Sequence, residues 1–279
     1  PYAAAVRNPL FRPGRCRLEP LLDPAGEPST NHLYRLALSS GGTAHLLAVK
    51  RYLPRDDPEG GDREWELATA LPSELVPRPY GRLVDTRSDR TLVAFYELVP
   101  GVEVGLVLWR LYGLLGVVPT GSVLARVRVV FAKSLRTLAS LHLRLAQRFG
   151  TGGAREEVNE ALFRRAEEDL SALQGYRISS RAYRGIIAGL VGRLEDGVFH
   201  GPTAIHGDMM WRQVMWRNPP GGEELEPMAL PVGPAEEMPG RLTILDAESW
   251  RTGYLEEDLA GLAAADNFML ALQERDRFA

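Results

Sequence analysis

Two lysines, Lys50 and Lys133, stand among the 33 basic residues of this 279-residue chain; every other basic residue is arginine. Arginine serves a solvated surface almost as well as lysine does, so much of this bias reflects coding, and each lysine that remains raises the question of why arginine would not serve there. Lys50 ends an apolar run, LLAVK, and the next periodic segment, DREWELATAL, carries Glu64 and Glu66. Farther on, TAIHGDMMWRQVMW sets His206, Gly207 and Asp208 after a short apolar run, with Gln213 following. TILDAESW puts Asp246 at the end of another apolar run, and Asp258 comes after it in EEDLAGL.

That order suits phosphoryl transfer. A polyphosphate needs a fixed cation, which Lys50 supplies. The cation needs a carboxylate to hold it, Glu64 or Glu66 on the following helix. Mg2+ takes hard oxygen ligands, and the Asp246 carboxylate and Gln213 amide oxygen are of that kind. An acceptor hydroxyl needs an oriented carboxylate beside it, the part given to Asp208. No GxxxxGK occurs, which excludes the phosphate-loop NTPase route. Each piece alone has a plainer reading: HGD as a turn, Asp246 as a turn former, Lys50 as a snorkelling surface residue. The order of the pieces carries the chemistry.

The elements that must position these residues follow from patterning. Residues 16–22, 32–38 and TAHLLAVKRYL read as strands, the last two joined at SSGG as a hairpin that ends near Lys50. Residues 62–71 have helical spacing, with Asp62 near the N-terminus and Pro72 as the stop. VPRPYGRLVDT and TLVAFYELV read as two further strands joined by RSDR. After residue 100 the pattern turns helical. Leu124, Val127, Phe131, Leu135, Leu138, Leu141 and Leu145 mark one long amphipathic helix over 122–149. Helices are expected over 155–173, 179–196 and 256–275. The Pro- and Gly-rich stretch 218–240 is expected as a loop between two short strands, VMW and RLTIL.

Composition bounds the class. The chain is 45% apolar and 25% charged, enough for a packed core. Its formal net charge of -3 argues against a protein built to hold nucleic acid. A single cysteine, Cys16, excludes an intrachain disulfide and a cysteine-rich metal site. The most apolar stretch, 104–118, carries Arg110 and is short for a bilayer span, so a buried helix is expected there. The N-terminal PYAAAVRNPLFRPGR has no continuous apolar core of the kind a targeting segment has. The expectation is a cytoplasmic protein with no membrane and no nucleic-acid partner, monomeric or homodimeric.

The chain resembles the aminoglycoside phosphotransferase and choline kinase-like family, a branch of the protein kinase-like fold. The resemblance runs nearly its whole length through STNHLYRLAL, LAVKRY, REWELATAL, FYELVPG, SLRTLASLHLRLA, IHGDMMWRQVMW, LDAESW and EEDLAGL. It implies an α+β, bilobal fold: a small antiparallel-sheet N-lobe with one helix over 1–100, and a larger, mainly helical catalytic and substrate lobe over 101–279. It implies a nucleotide loop at Ser29, Thr30 and Asn31, with Tyr34 beside it, and a hinge at Glu97 and Val99 whose backbone groups meet the adenine. It favours Glu64 over Glu66 as the partner of Lys50. Asp208 becomes the catalytic base, Gln213 and Asp246 the metal ligands, and His206 and Asp258 the braces of the catalytic loop. His142 is expected as a packed helix residue. Arg212, Glu256 and Glu257 are candidates to meet the substrate.

The implied activity is transfer of the γ-phosphate of ATP or GTP, with Mg2+, to a hydroxyl of an aminoglycoside-like or other aminated or hydroxylated small molecule, cationic acceptors included. Antibiotic resistance is one expression of such an activity. The chain departs from the family pattern at one place. The family has Asn where this chain has Gln213, and small residues where it has Met209, Met210, Trp211 and Arg212. The alternative implied by that departure is a catalytically impaired kinase-like fold serving as a nucleotide-sensing or protein-interaction module.

Overall fold

A computed structural model describes residues 16–21, 32–40, 43–53, 57–150, 154–173, 200–219 and 232–264, with isolated positions at 185, 189, 192, 193, 228 and 230. Ser29, Thr30 and Asn31, most of the helix expected over 179–196, and much of the 218–240 stretch lie outside the described residues.

The N-terminal strands are β1 (Cys16–Pro20), β2 (His32–Ser40), β3 (Thr43–Arg51), β4 (Pro79–Val84) and β5 (Thr91–Glu97). They form one antiparallel sheet in the order β1-β2-β3-β5-β4. β2 and β3 pair along all nine residues, from Ser40 against Thr43 to His32 against Arg51. That register fixes the faces, because side chains alternate along a strand. Ala48, Lys50, Ala94 and Tyr96 fall on one face, and Leu47, Val49, Val93 and Phe95 on the other. Helix α1 (Gly60–Ala70) packs on the Lys50 face: Ala68 is buried with Tyr52, Ala94 and Tyr96, and Trp65 lies against them. A Cβ at Gly61 would meet the Tyr52 ring at 2.8 Å and the Thr91 carbonyl at 2.9 Å, so glycine lets the helix come this close.

The helix starts two residues earlier than patterning suggests, and Asp62 is not its cap. Asp57 Oδ1 instead accepts the N–H groups of Glu59 and Gly60 at 3.1 and 3.0 Å. Asp62 ties α1 to β5, accepting from the Thr91 hydroxyl at 2.6 Å and the Thr91 N–H at 3.1 Å.

Beyond the sheet, β6 (Val102–Glu103) leads into α2 (Val104–Gly113), which buries Val104, Val107, Leu108, Leu111 and Tyr112 at helical spacing. No helix among the described residues is long and apolar enough to cross a membrane. α3 (Thr120–Phe149) is the long helix expected, but its buried stripe is offset. Leu124 and Leu135 are exposed, while Val123, Val127, Val130, Ser134, Leu138, Leu141 and Leu145 are buried. α4 (Arg155–Leu173) follows, then β7 (Thr203–Ile205), β8 (Val214–Arg217), β9 (Arg241–Ile244) and β10 (Arg251–Gly253). β6, β8 and β9 make a three-stranded sheet, and β7 pairs with β10. Residues 255–264 are helical, starting one residue before the helix expected over 256–275, and positions 265–275 lie outside the described residues.

Contacts group the chain into two compact units, each assembled from two stretches. One holds residues 1–137 and 212–249, the other 138–211 and 250–279.

Candidate active site

In the first unit, β3 and α1 bring Lys50 and Glu64 together. Lys50 Nζ donates to Glu64 Oε2 at 2.8 Å, and both side chains are buried. Lys50 also donates to Asp246 Oδ1 and lies 3.1 Å from Glu248 Oε2. Glu66 is exposed on the far side of α1, so the two glutamates left open by spacing are separated by burial. Burial by itself would lower the Lys50 pKa. The charges of Glu64, Asp246 and Glu248 outweigh it and hold the ammonium well above its ordinary value.

The cluster has a buried support. Tyr52 donates its hydroxyl to the same Oε2 of Glu64 at 2.8 Å, and its oxygen lies 3.1 Å from the Tyr96 hydroxyl. Arg63, next to Glu64 in sequence, donates Nε–H to the Glu248 carbonyl at 2.7 Å, which fastens α1 to the turn after Asp246. That turn is a 3-10 segment, Ala247–Ser249. Asp246 enters it at φ 63, the left-handed region that aspartate tolerates better than most residues.

Gln213 ends the 3-10 turn Trp211–Gln213 and is 3% exposed. Its carbonyl accepts the Leu245 N–H at 2.7 Å, and the next pair in register is Val214 with Ile244. The backbones that carry Gln213 and Asp246 are therefore neighbours. Arg212 is exposed.

In the second unit, the loop after β7 is held by a single carboxylate. Asp258, 1% exposed, accepts the backbone N–H of His206 and of Gly207, each at 2.8 Å. His142 Nε2 lies 2.7 Å from the same carboxylate. Burial would raise the Asp258 pKa, but the His142 hydrogen bond, the His206 charge and the two backbone N–H groups hold it below the ordinary aspartate range. The Gly207 carbonyl accepts from Arg251 at 2.6 Å, and Arg251 also donates to Glu257 at 2.7 Å. Asp208, one residue on, is exposed.

The sequence matches no family model and no curated protein. Among solved structures it is similar to a Plasmodium vivax ethanolamine kinase, with a TM-score of 0.55 and 14% identity, over 95% of this chain and 64% of that one. It also matches the choline kinase LicA from Streptococcus pneumoniae, with a TM-score of 0.46 and 14% identity, over 90% of this chain and 70% of that one. The chain has a protein kinase-like fold. It spans just under two thirds of the ethanolamine kinase's length.

On this kinase-like fold the remaining expected residues are placed as follows. Glu97 ends β5 with its side chain on the face opposite Lys50, where its carboxylate pairs with Arg217 at 2.7 and 3.2 Å. Its backbone N–H donates to the Arg78 carbonyl at 2.8 Å. Val99 is half-buried in the segment beyond. Glu257 accepts from Arg251 and Arg165, and its other oxygen accepts the Tyr254 N–H at 2.9 Å, a capping interaction at the start of the last helix. Glu256 accepts from His200, Nδ1 at 2.8 Å and N–H at 3.2 Å.

One carboxylate of the Lys50 cluster escaped the sequence. Glu248 joins the Lys50 cluster, and its signal was the second carboxylate in LDAES. His142 packs as expected and is also a hydrogen-bond partner of Asp258. The donor set around Lys50 fits a divalent cation. Oxygens of Glu64, Asp246 and Glu248 lie within 4.8 Å of one another, all hard ligands. Burial, followed by the Asp246 and Glu64 charges, raises the Glu248 pKa against the opposing pull of Lys50. Added positive charge would relieve that crowding.

Proposed function

We propose that the chain is a small-molecule O-phosphotransferase that moves the γ-phosphate of a nucleoside triphosphate, ATP or GTP, to a substrate hydroxyl. The observation that carries this reading is the buried Lys50–Glu64 pair joined by Asp246 and Glu248, on a protein kinase-like fold. Lys50, kept charged by its three carboxylates, holds the phosphates. Glu64, braced by Tyr52, holds Lys50. Asp246, with Glu248 beside it and Gln213 on the adjoining strand end, would hold Mg2+, which supplies charge neutralisation on the phosphate oxygens. Asp208 orients the acceptor hydroxyl and takes its proton. The acceptor oxygen then bonds to the γ-phosphorus while the bond to the β-γ bridging oxygen breaks, releasing the nucleoside diphosphate. Ser29, Thr30 and Asn31 and the backbone at Glu97 and Val99 complete the nucleotide site in this reading, with His206 and Asp258 keeping the Asp208 loop in shape.

The acceptor is proposed as a small amino alcohol or other aminated, hydroxylated molecule. Ethanolamine is the first to try, because that substrate stands in the name of the similar solved protein; aminoglycosides belong in the same screen. Arg212 is exposed and available to an acceptor, whereas Glu256 and Glu257 already serve His200, Arg251 and Arg165.

The test is calorimetric titration of ATP and GTP with and without Mg2+, followed by a phosphate-transfer assay over an acceptor panel. Mg2+-dependent binding lost in Asp246→Ala, with turnover lost in Asp208→Ala, is the expected result. Absence of nucleotide binding by the wild-type protein would overturn it in favour of a protein-interaction module.

A further inference from the structure

A cavity of about 630 Å³ lies in the first unit, and none of the Lys50 cluster residues lines it. Its walls include Arg78, Arg217, Arg241, Tyr80, Glu74 and Glu97. Arg217 on β8 and Arg241 on β9 are direct cross-strand partners. Like charges set directly opposite each other in a sheet are destabilising, so such a pair calls for compensation. Glu97 compensates one of them. It takes a two-pronged hydrogen bond from Arg217, whose Nε–H also donates to the Thr243 hydroxyl at 2.7 Å. The Arg241 and Arg78 guanidiniums have no carboxylate partner among the described residues. Glu74 offsets one charge at most.

We propose that this cavity binds a phosphate-bearing small molecule, held by Arg78 and Arg241 over the Arg217–Glu97 pair. A guanidinium presents its donors in a planar fork that matches phosphate oxygens. The site is held open by its backbone. Asn218 and Gly240, just beyond the arginine pair, have φ 48 and 82. A Cβ at Gly240 would lie 2.4 Å from the Arg217 carbonyl oxygen. Trp216 Nε1 donates to the Pro239 carbonyl at 3.1 Å, fastening the same strand ends. A cavity of this size also admits an organic group beside the phosphate, and Tyr80 offers it a ring surface. The inference stands on these residues and is independent of the kinase reading.

The experiment uses inorganic pyrophosphate without Mg2+, read by calorimetry and by thermal melting of the wild-type protein, Arg78→Ala, Arg241→Ala and Lys50→Met. Arg78 and Arg241 are exposed, so their truncation leaves the fold standing, which circular dichroism verifies. Binding is expected in the wild type, weakened at least tenfold in either arginine variant and changed less than twofold in Lys50→Met. Glu74→Gln is expected to tighten it. Binding that survives Arg241→Ala but vanishes in Lys50→Met would overturn the proposal by placing the anion at Lys50. So would the absence of both binding and a melting shift in the wild type.

Discussion

Arg251 and Asp258 hold one residue from both ends: Asp258 accepts the N–H of Gly207 at 2.8 Å, and Arg251 donates to its carbonyl at 2.6 Å. Gly207 stands at φ 90 and carries the chain into Asp208. The direction in which Asp208 leaves the loop is therefore set by two side chains from beyond residue 250.

Replacing Arg251 with alanine frees that carbonyl and removes a donor from Glu257. Stability should fall by about 1.5–3 kcal/mol, the usual worth of hydrogen bonds to charged groups. Turnover should fall at least tenfold, with the nucleotide KM within twofold of wild type. Steady-state kinetics and urea unfolding read both. Arg251→Lys should recover little, because a single ammonium cannot reproduce the fork that reaches Gly207 and Glu257 together.

Asp258→Asn tests the other end. The native carboxyl titrates below its unfolded value, so the stability it contributes is present above about pH 4, the ordinary aspartate value, and disappears as pH falls through the folded pKa. The variant should be less stable at pH 7 by about 3 kcal/mol, the cost of breaking a buried charged network. Its acid unfolding should also be shallower than that of the wild type. Urea melts at a series of pH values between 2 and 7 check this.

Lys50→Met leaves Glu64 buried beside two other carboxylates. Phosphate transfer should drop by roughly 10²–10³, the usual effect of removing one preorganised charge-stabilising donor. Glu64→Gln keeps the lysine and should lose less activity. A single-turnover assay separates the two variants.

Tyr52→Phe removes the hydroxyl that braces Glu64. A loss of about 1 kcal/mol is expected. Burial raises both Tyr52 and Tyr96 above the ordinary tyrosine value. Their contribution is thus complete below about pH 10 and is lost as pH rises toward the folded values. The variant should show a weaker alkaline loss of stability, measured by melting between pH 8 and 11.

Ser134 sits in the buried stripe of α3 with a hydroxyl that has no hydrogen-bond partner among the described residues. Ser134→Ala should be neutral or raise stability by up to about 1 kcal/mol, since the desolvated hydroxyl is gone and helix propensity improves. Differential scanning calorimetry tests it.

Lys50 was legible because its residue type was rare and it stood at the end of an apolar strand. Asp246 was legible because an apolar run ended on it. Choosing Glu64 over Glu66 needed either the family resemblance or the burial of one side of α1. The α3 stripe was misread at Leu124 and Leu135 because two apolar rows lie side by side on that helix, and only the packed neighbours decide which is covered. Arg251 could not be read at all. Its partner is a backbone carbonyl, and a carbonyl leaves no trace in residue type. Asp62, near the helix start, was unreadable for a related reason: Asp57, before the helix, receives the first N–H groups, and Asp62 bonds Thr91 on β5 instead.

Lys50 and Asp246 touch across 196 positions of chain. During synthesis, the sheet and α1 leave the ribosome long before Asp246 and Glu248 are made. Until then the Lys50 ammonium has Glu64 as its one partner in the cluster. Closing so distant a contact is slow and entropically costly. A chain interrupted before residue 246 therefore carries Lys50 without Asp246 and Glu248, the carboxylates that complete its cluster.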